Sequence, residues 1–258
     1  MNTITKIIEE LNNRGYKAKA VTKKTNGIEK VGIAIGYEKL TPVFYPNLNL
    51  SVEECVSEII NTYKNQPEPL IKRDFFTWDY AKNNLQLCLQ KKTDEDIKKR
   101  DFLDLEMYVR VKMPDNMSYK VKECQFKDIS EDEIFERALQ LVKENLYVED
   151  MFQMIAVPFD NASGPKSIIV TNNDKLFGAS AICDKELLNN IAKKYDSNLI
   201  ILPSSIHECI IYVDETSDVD MALWSSMVNK VSTENVEPEQ VLGYHAYLYN
   251  KENGEITW

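Results

Sequence analysis

The chain has 258 residues, 43% apolar and 28% charged, which fits one large or two small soluble globular domains and excludes a disordered or membrane-embedded chain. Its net charge of -10 and pI near 4.9 set it against phosphate backbones and anionic membrane surfaces, so neither nucleic acid nor membrane is an expected partner. Five cysteines without a CxxC pair and two histidines give no zinc pattern, so neither a metal nor another cofactor is expected. Scattered thiols and an N-terminal stretch without an apolar signal core point to a cytoplasmic protein.

In chain order, Thr3 to Asn13 places Ile4, Ile7, Ile8 and Leu11 at helical spacing, and Gly15 can end that helix. Residues 16–37 read as a hairpin: Tyr16, Ala18 and Ala20 alternate with lysines, Asn26-Gly27 is a turn signal, and residues 31–37 (VGIAIGY) form the return strand. The lysines of this hairpin read as solvated edge charges. Val43 to Tyr45 adds a short third strand. Ser51 and Glu54 make a capping box for a helix carrying Val52, Val56, Ile59, Ile60 and Tyr63. Gln66 to Arg73, with two prolines, reads as a linker.

Phe75, Phe76, Trp78 and Tyr80 form an aromatic group suited to a core. The run with Leu85, Leu87 and Leu89 is read as helical, and residues 90–101, charged with both signs, as a solvated turn or helix face. Two alternating runs around Pro114-Asp115-Asn116 predict a second hairpin within 103–126. Ser130 to Glu133 is a second capping box. The loop 160–166 (DNASGPK) is the densest turn cluster and the expected domain boundary, giving regions 1–159 and 160–258.

Beyond it, Ile168 to Thr171 reads as a strand and Asp184 as the cap of a helix through Tyr195. Residues 198–213 (NLIILPSSIHECIIYV) read as two buried strands about a small polar turn. Ser217 or Asp218 caps a further helix through Val231, and Tyr244 to Tyr249 is a last strand. This order, strand-helix-strand-strand-helix-strand, is that of a split βαβ, ferredoxin-like unit. The expected fold class is α+β, with antiparallel or mixed sheets and helices on one face.

The polar turn carries the candidate chemistry: Ser204, Ser205, His207 and Glu208. One reading makes His207 a general base for a serine, or for Cys183 or Cys209, in a hydrolase or transferase. Glu208 cannot readily orient His207, because adjacent strand residues point to opposite faces. The other reading has the serines and His207 satisfying backbone groups of a tight turn. His207-Glu208 lacks the second histidine of a zinc-protease helix, since position 211 is Ile211. Gly178-Ala179-Ser180-Ala181 could accept an anion before the Asp184 helix, but close backbone packing explains small residues there better.

The block Leu202–Glu208 (LPSSIHE), preceded by Phe177-Gly178-Ala179, resembles an uncharacterised bacterial family common in clostridia and their relatives, a domain of unknown function. Met227-Val228-Asn229, the stretch Val236 to Leu242, the tyrosine-rich strand after it, and the Asn26-Gly27 hairpin with Thr41-Pro42 and Tyr45 extend the resemblance over nearly the whole chain. Where the family element reads Asn-Gly-Ala, this chain has Phe177, and Cys183 follows in place of apolar residues. The resemblance implies no activity. Two functions stand: a non-catalytic module binding a protein or small-molecule partner, or a hydrolase or transferase using the 204–208 turn.

Overall fold

The computed structural model describes residues 2–36, 42–65, 73–114, 117–150, 166–214 and 219–258. It is α+β, with antiparallel sheets, and its internal contacts divide the chain into two compact units, Met1–Leu70 and Ile71–Trp258. The division falls inside the proline-bearing stretch 66–73. The boundary expected at 160–166 lies, apart from Lys166, outside the described residues.

In the first unit α1 (Thr3–Asn13) and α2 (Val52–Asn65) accompany a sheet of β1 (Ala18–Thr25), β2 (Ile28–Ile35) and β3 (Val43–Phe44). The hairpin closes as the Asn-Gly signal requires, with Asn26 and Gly27 both at positive φ, 50° and 77°. Ile7 and Leu11 of α1, Ile33 and Ile35 of β2, and Cys55, Val56 and Ile59 of α2 form one core. The capping box of α2 is complete: the Ser51 N–H donates to Glu54 Oε2 at 2.8 Å, and the Glu54 N–H donates to Ser51 Oγ at 3.3 Å.

The second unit holds two sheets. The four-stranded one has β4 (Leu85–Lys91) beside β6 (Leu105–Lys112), whose other edge pairs with β5 (Lys99–Phe102) and β7 (Ser118–Lys120). The β6–β7 pair is the hairpin expected in 103–126. The segment 85–89, read above as helical, is a strand. A one-turn helix, α3 (Trp78–Ala81), precedes it. The leucines of the strand recur every second residue, and Leu85 and Leu87 meet Ile134, Phe135, Ala138 and Leu141 of α4 (Glu131–Glu144). The charged stretch 90–101 is also not all solvated: Gln90 is 1% exposed and Lys98 6%, and β5 occupies its end.

Helix α4 starts where its box predicts, with Ser130 Oγ accepting the Glu133 N–H at 3.1 Å. Ser130→Ala is expected to cost about 1 kcal/mol. Trp78, Trp224 and Trp258 are the only tryptophans, and all lie in the second unit, so their fluorescence in urea isolates this effect. An unchanged midpoint would remove the cap from the account.

The six-stranded sheet runs β13 (Ile256–Thr257), β12 (Tyr247–Tyr249), β10 (Leu199–Leu202), β11 (Cys209–Val213), β9 (Ser167–Asn172), β8 (Leu146–Asp150). Strand β9 leads to a short 3-10 segment (Gly178–Cys183) and to α5 (Lys185–Tyr195), which the Asp184 side chain caps. Strand β11 leads to α6 (Met221–Glu234), where Asp220 accepts the Leu223 N–H. The caps expected at Ser217 or Asp218 are thereby replaced, and those two residues lie outside the described set.

A split βαβ order is present, but the sheet order is not ferredoxin-like. That arrangement would set the last strand of the unit beside the first. Here β8 lies there, and β12 pairs with β10 instead. The change moves a helix. β9 and β10 run parallel with β11 between them, and β11 and β12 run parallel, oppositely directed, with β10 between them. Both connections step the same way across the sheet, so right-handed crossovers put their helices on opposite faces. Leu188, Ile191 and Ala192 of α5 pack with Ile168, Leu199, Ile201, Ile211 and Tyr247, whereas Val228 of α6 packs with Ile200, and Trp224 with Tyr212 at 4.5 Å. The expectation of both helices on one face is corrected accordingly. Each fully buried Leu or Ile in these layers contributes about 1.5–3 kcal/mol.

Candidate functional site

The turn between β10 and β11, residues 203–208, uses its polar atoms to hold main chain. The Ser205 N–H donates to Glu208 O at 3.2 Å, the Ile206 N–H to Gln240 O at 2.9 Å, and Ser205 Oγ accepts the His207 N–H at 3.0 Å. Toward the start of the 3-10 segment the contacts are continuous. The Phe177 N–H donates to His207 Nδ1 at 3.1 Å, the Gly178 N–H to His207 O at 2.9 Å, and the Ala179 N–H to Ile206 O at 3.4 Å. Thr171 Oγ1 adds a fourth bond, to His207 O at 2.7 Å. The blocks 177–179 and 202–208, far apart in sequence, are thus joined atom to atom.

This geometry fixes what His207 can do. Its ring is half-buried against Phe177, with centroids 5.4 Å apart. Because Nδ1 accepts a hydrogen bond, the neutral ring carries its proton on Nε2. The lone pair that a general base would use is occupied by a main-chain N–H. Burial lowers the His207 pKa, with the nearby Glu208 charge opposing. Among the described residues neither Ser204 nor Glu208, both half-buried, hydrogen-bonds the ring. Burial pushes the Cys183 and Cys209 thiols well above the ordinary range, which keeps them protonated and poor nucleophiles.

The backbone approach is close. Gly178 has no room for a side chain, and Phe177 before it sits at φ 56°, a left-handed conformation uncommon for a non-glycine residue. Three main-chain N–H bonds and the Phe177 ring packing hold it there.

Beside Gly178, Thr171 and Ser180 lies a cavity of about 30 Å³, room for water but not for a substrate. A larger hollow, about 630 Å³, opens beside Phe177 on the polar face of the four-stranded sheet. Tyr80, Gln86, Lys112, Met117 and Ser118 also wall it, and its size suits a small-molecule site. Neither space is lined by residues 203–208.

A second cluster went unmarked in the sequence. Asp104, in the β5–β6 turn, reaches Tyr247 OH with Oδ1 at 2.8 Å and His245 Nε2 with Oδ2 at 2.9 Å. His245 Nδ1 lies 3.2 Å from Ala246 O, so protein oxygens face both ring nitrogens and neither is left for a substrate. Burial, then the Asp104 carboxylate, push the Tyr247 hydroxyl pKa far up. Only the topology, which sets β12 against the β5–β6 tip, brings these residues together. Among the described residues no three metal-ligating side chains converge, and no helix is long and apolar enough to cross a membrane.

Fold and site together define an α+β protein in which a motif turn clamps a 3-10 segment while a polar sheet face opens on a hollow. By sequence the chain belongs to a family of unknown function, DUF5688, which it matches over residues 2–251. No curated protein matches it, and no solved structure does.

Proposed function

We propose that the chain is a cytoplasmic binding module that holds a small ligand in the hollow beside Phe177 and performs no chemistry at the 204–208 turn. The observation that carries this reading is where the turn directs its polar atoms. His207 Nδ1, His207 O and Ser205 Oγ all accept N–H groups of the chain itself. A turn so engaged serves as a clamp for Phe177, and Phe177 walls the hollow.

Hydrogen exchange with bound small molecules tests it, the binders being selected by native mass spectrometry from a chemically mixed library. The expected result is one ligand per chain, with protection confined to the segments around Gln86, Lys112, Ser118 and Leu176. Protection elsewhere alone would overturn the placement. Covalent labelling of Ser204 or Ser205 by a fluorophosphonate, abolished in His207→Ala, would overturn the non-catalytic reading.

A further inference from the structure

We infer that the ligand of the hollow beside Phe177 is uncharged and carries a carboxamide or a like pair of hydrogen-bond donor and acceptor, such as a lactam or a nucleobase edge. Asn84 and Gln86 are the side chains that read it. The inference rests on the binding-module reading and adds the ligand's chemistry.

Strand pairing sets the wall. Gln86 of β4 stands opposite Arg110 of β6, and Lys112 opposite Ser118 of β7, so these four share the sheet face turned away from α4. Asn84 continues the alternation one pleat before Gln86, and its carbonyl accepts the Lys112 N–H at 2.8 Å. Among the described residues the charged groups lining the hollow are Lys112 and Asp174, and they meet each other at 2.8 Å. A charged ligand would find both signs there in equal measure, attraction to one offset by repulsion from the other, while its own charge gave up water. Arg110 is not part of this lining. Its Nε and Nη2 groups donate to Ser118 Oγ, and its guanidinium lies 4.4 Å from the centre of the Phe177 ring.

What the wall offers is neutral and of both kinds. The Asn84 amide donates to Tyr80 O at 2.8 Å and the Gln86 amide to Leu176 O at 2.8 Å. A carbonyl only accepts, so these bonds fix which end of each amide is nitrogen. One N–H of each amide is thereby used, while its oxygen and second N–H remain. Among the described residues no buried side-chain oxygen or nitrogen lacks a partner, so the two amide oxygens, which accept nothing from the chain, are open to solvent. Tyr80 repeats the pattern, its hydroxyl donating to Lys112 O at 3.2 Å and keeping its lone pairs. Ser118 is the complement: Arg110 fills both lone pairs of its Oγ and leaves the O–H to donate. Donors and acceptors without net charge match an amide, as Asn and Gln match the donor–acceptor edge of adenine. Met113, Met117 and Leu176 give the body of the ligand an apolar wall.

Phenylacetamide, phenylacetate and phenethylammonium share an apolar body and differ in the head, so titrating each into the isotope-labelled full chain tests the assignment by nuclear magnetic resonance. The amide is expected to saturate, to shift the side-chain amide resonances of Asn84 and Gln86, and to bind at least tenfold more tightly than either charged probe. Gln86→Leu should weaken it tenfold or more, and Lys92→Gln, at an exposed lysine paired with Asp101, should leave it unchanged. No saturable binding of the amide, equal or tighter binding of a charged probe, or equal affinity in Gln86→Leu overturns the assignment. Should Gln86→Leu fail to fold, the wild-type chain decides: saturation by the amide without a shift of either side-chain resonance overturns it. If only charged library members bind and protect the hollow, the uncharged ligand is excluded while the binding-module reading stands. If no probe and no library member protects the hollow, both fall.

Discussion

Gly178→Ala is expected to destabilise the second unit by about 3 kcal/mol or more, at the upper end of what overpacking a filled core costs. A Cβ there would lie 2.2 Å from Thr171 Oγ1, 2.6 Å from Asn172 N and 2.9 Å from His207 O. Thr171 Oγ1 cannot simply swing aside, because it donates to His207 O. The other two atoms are main chain, one at the end of β9 and one in the motif turn. Accommodating the methyl group would mean separating the 3-10 segment from both, and with it the Gly178 N–H to His207 O bond. The tryptophan-reported urea midpoint measures the loss. A change below about 1 kcal/mol would mean the contact is looser than described and would weaken the account of the turn as a clamp.

His207→Ala is the second large effect, about 1–3 kcal/mol, because it leaves the Phe177 N–H without its acceptor. It also carries a pH signature. Burial lowers the folded His207 pKa below its unfolded value of about 6.5, so the folded state binds fewer protons between those two pH values. The contribution of His207 is therefore complete above about pH 6.5 and is lost as the pH falls through the folded pKa. Protonating Nδ1 would also place two donors against each other at Phe177 N. The difference in stability between the wild type and His207→Ala should shrink as the pH is lowered from 8 to 5. His207→Asn, which can offer an amide oxygen near Nδ1, should recover part of the stability without this pH dependence. Parallel pH profiles for the wild type and His207→Ala would refute the neutral-ring assignment.

Local signals in the chain translated well into structure. Asn26-Gly27 gave its hairpin, and Ser51 with Glu54, Ser130 and Asp184 began the helices they were expected to begin, because each needs only neighbours within four residues. The run with Leu85, Leu87 and Leu89, read as helical, is a strand, and its leucine spacing of two was the signal for one. The boundary that composition placed at 160–166 lies, apart from Lys166, outside the described residues, and internal contacts divide the chain after Leu70. Sheet order was the least legible feature. No local pattern in residues 146–150 announced that β8 would occupy the place beside β9, and that pairing decides which face α6 covers.

The same was true of the site. The LPSSIHE block stood out as unusual, and the distance between it and Phe177-Gly178-Ala179 concealed that they bind each other. Arg110 looked like one cation in an alternating strand. That it has no carboxylate partner among the described residues emerges only when Lys99, Lys112 and Lys120 are seen to have theirs. Asp104 lay 141 residues from His245 and gave no sign of meeting it.

The position of β12 beside β10 has a consequence for biosynthesis. Residues up to Leu70 can collapse into their own unit soon after leaving the ribosome, since every strand of that sheet is already made. Strand β10 emerges with β11 at one flank, yet its other flank must wait for Tyr247 to Tyr249, which are translated after all of α6. In that interval the nascent chain exposes an open, isoleucine-rich strand edge, the kind of surface that chaperones cover and that neighbouring nascent chains can pair with.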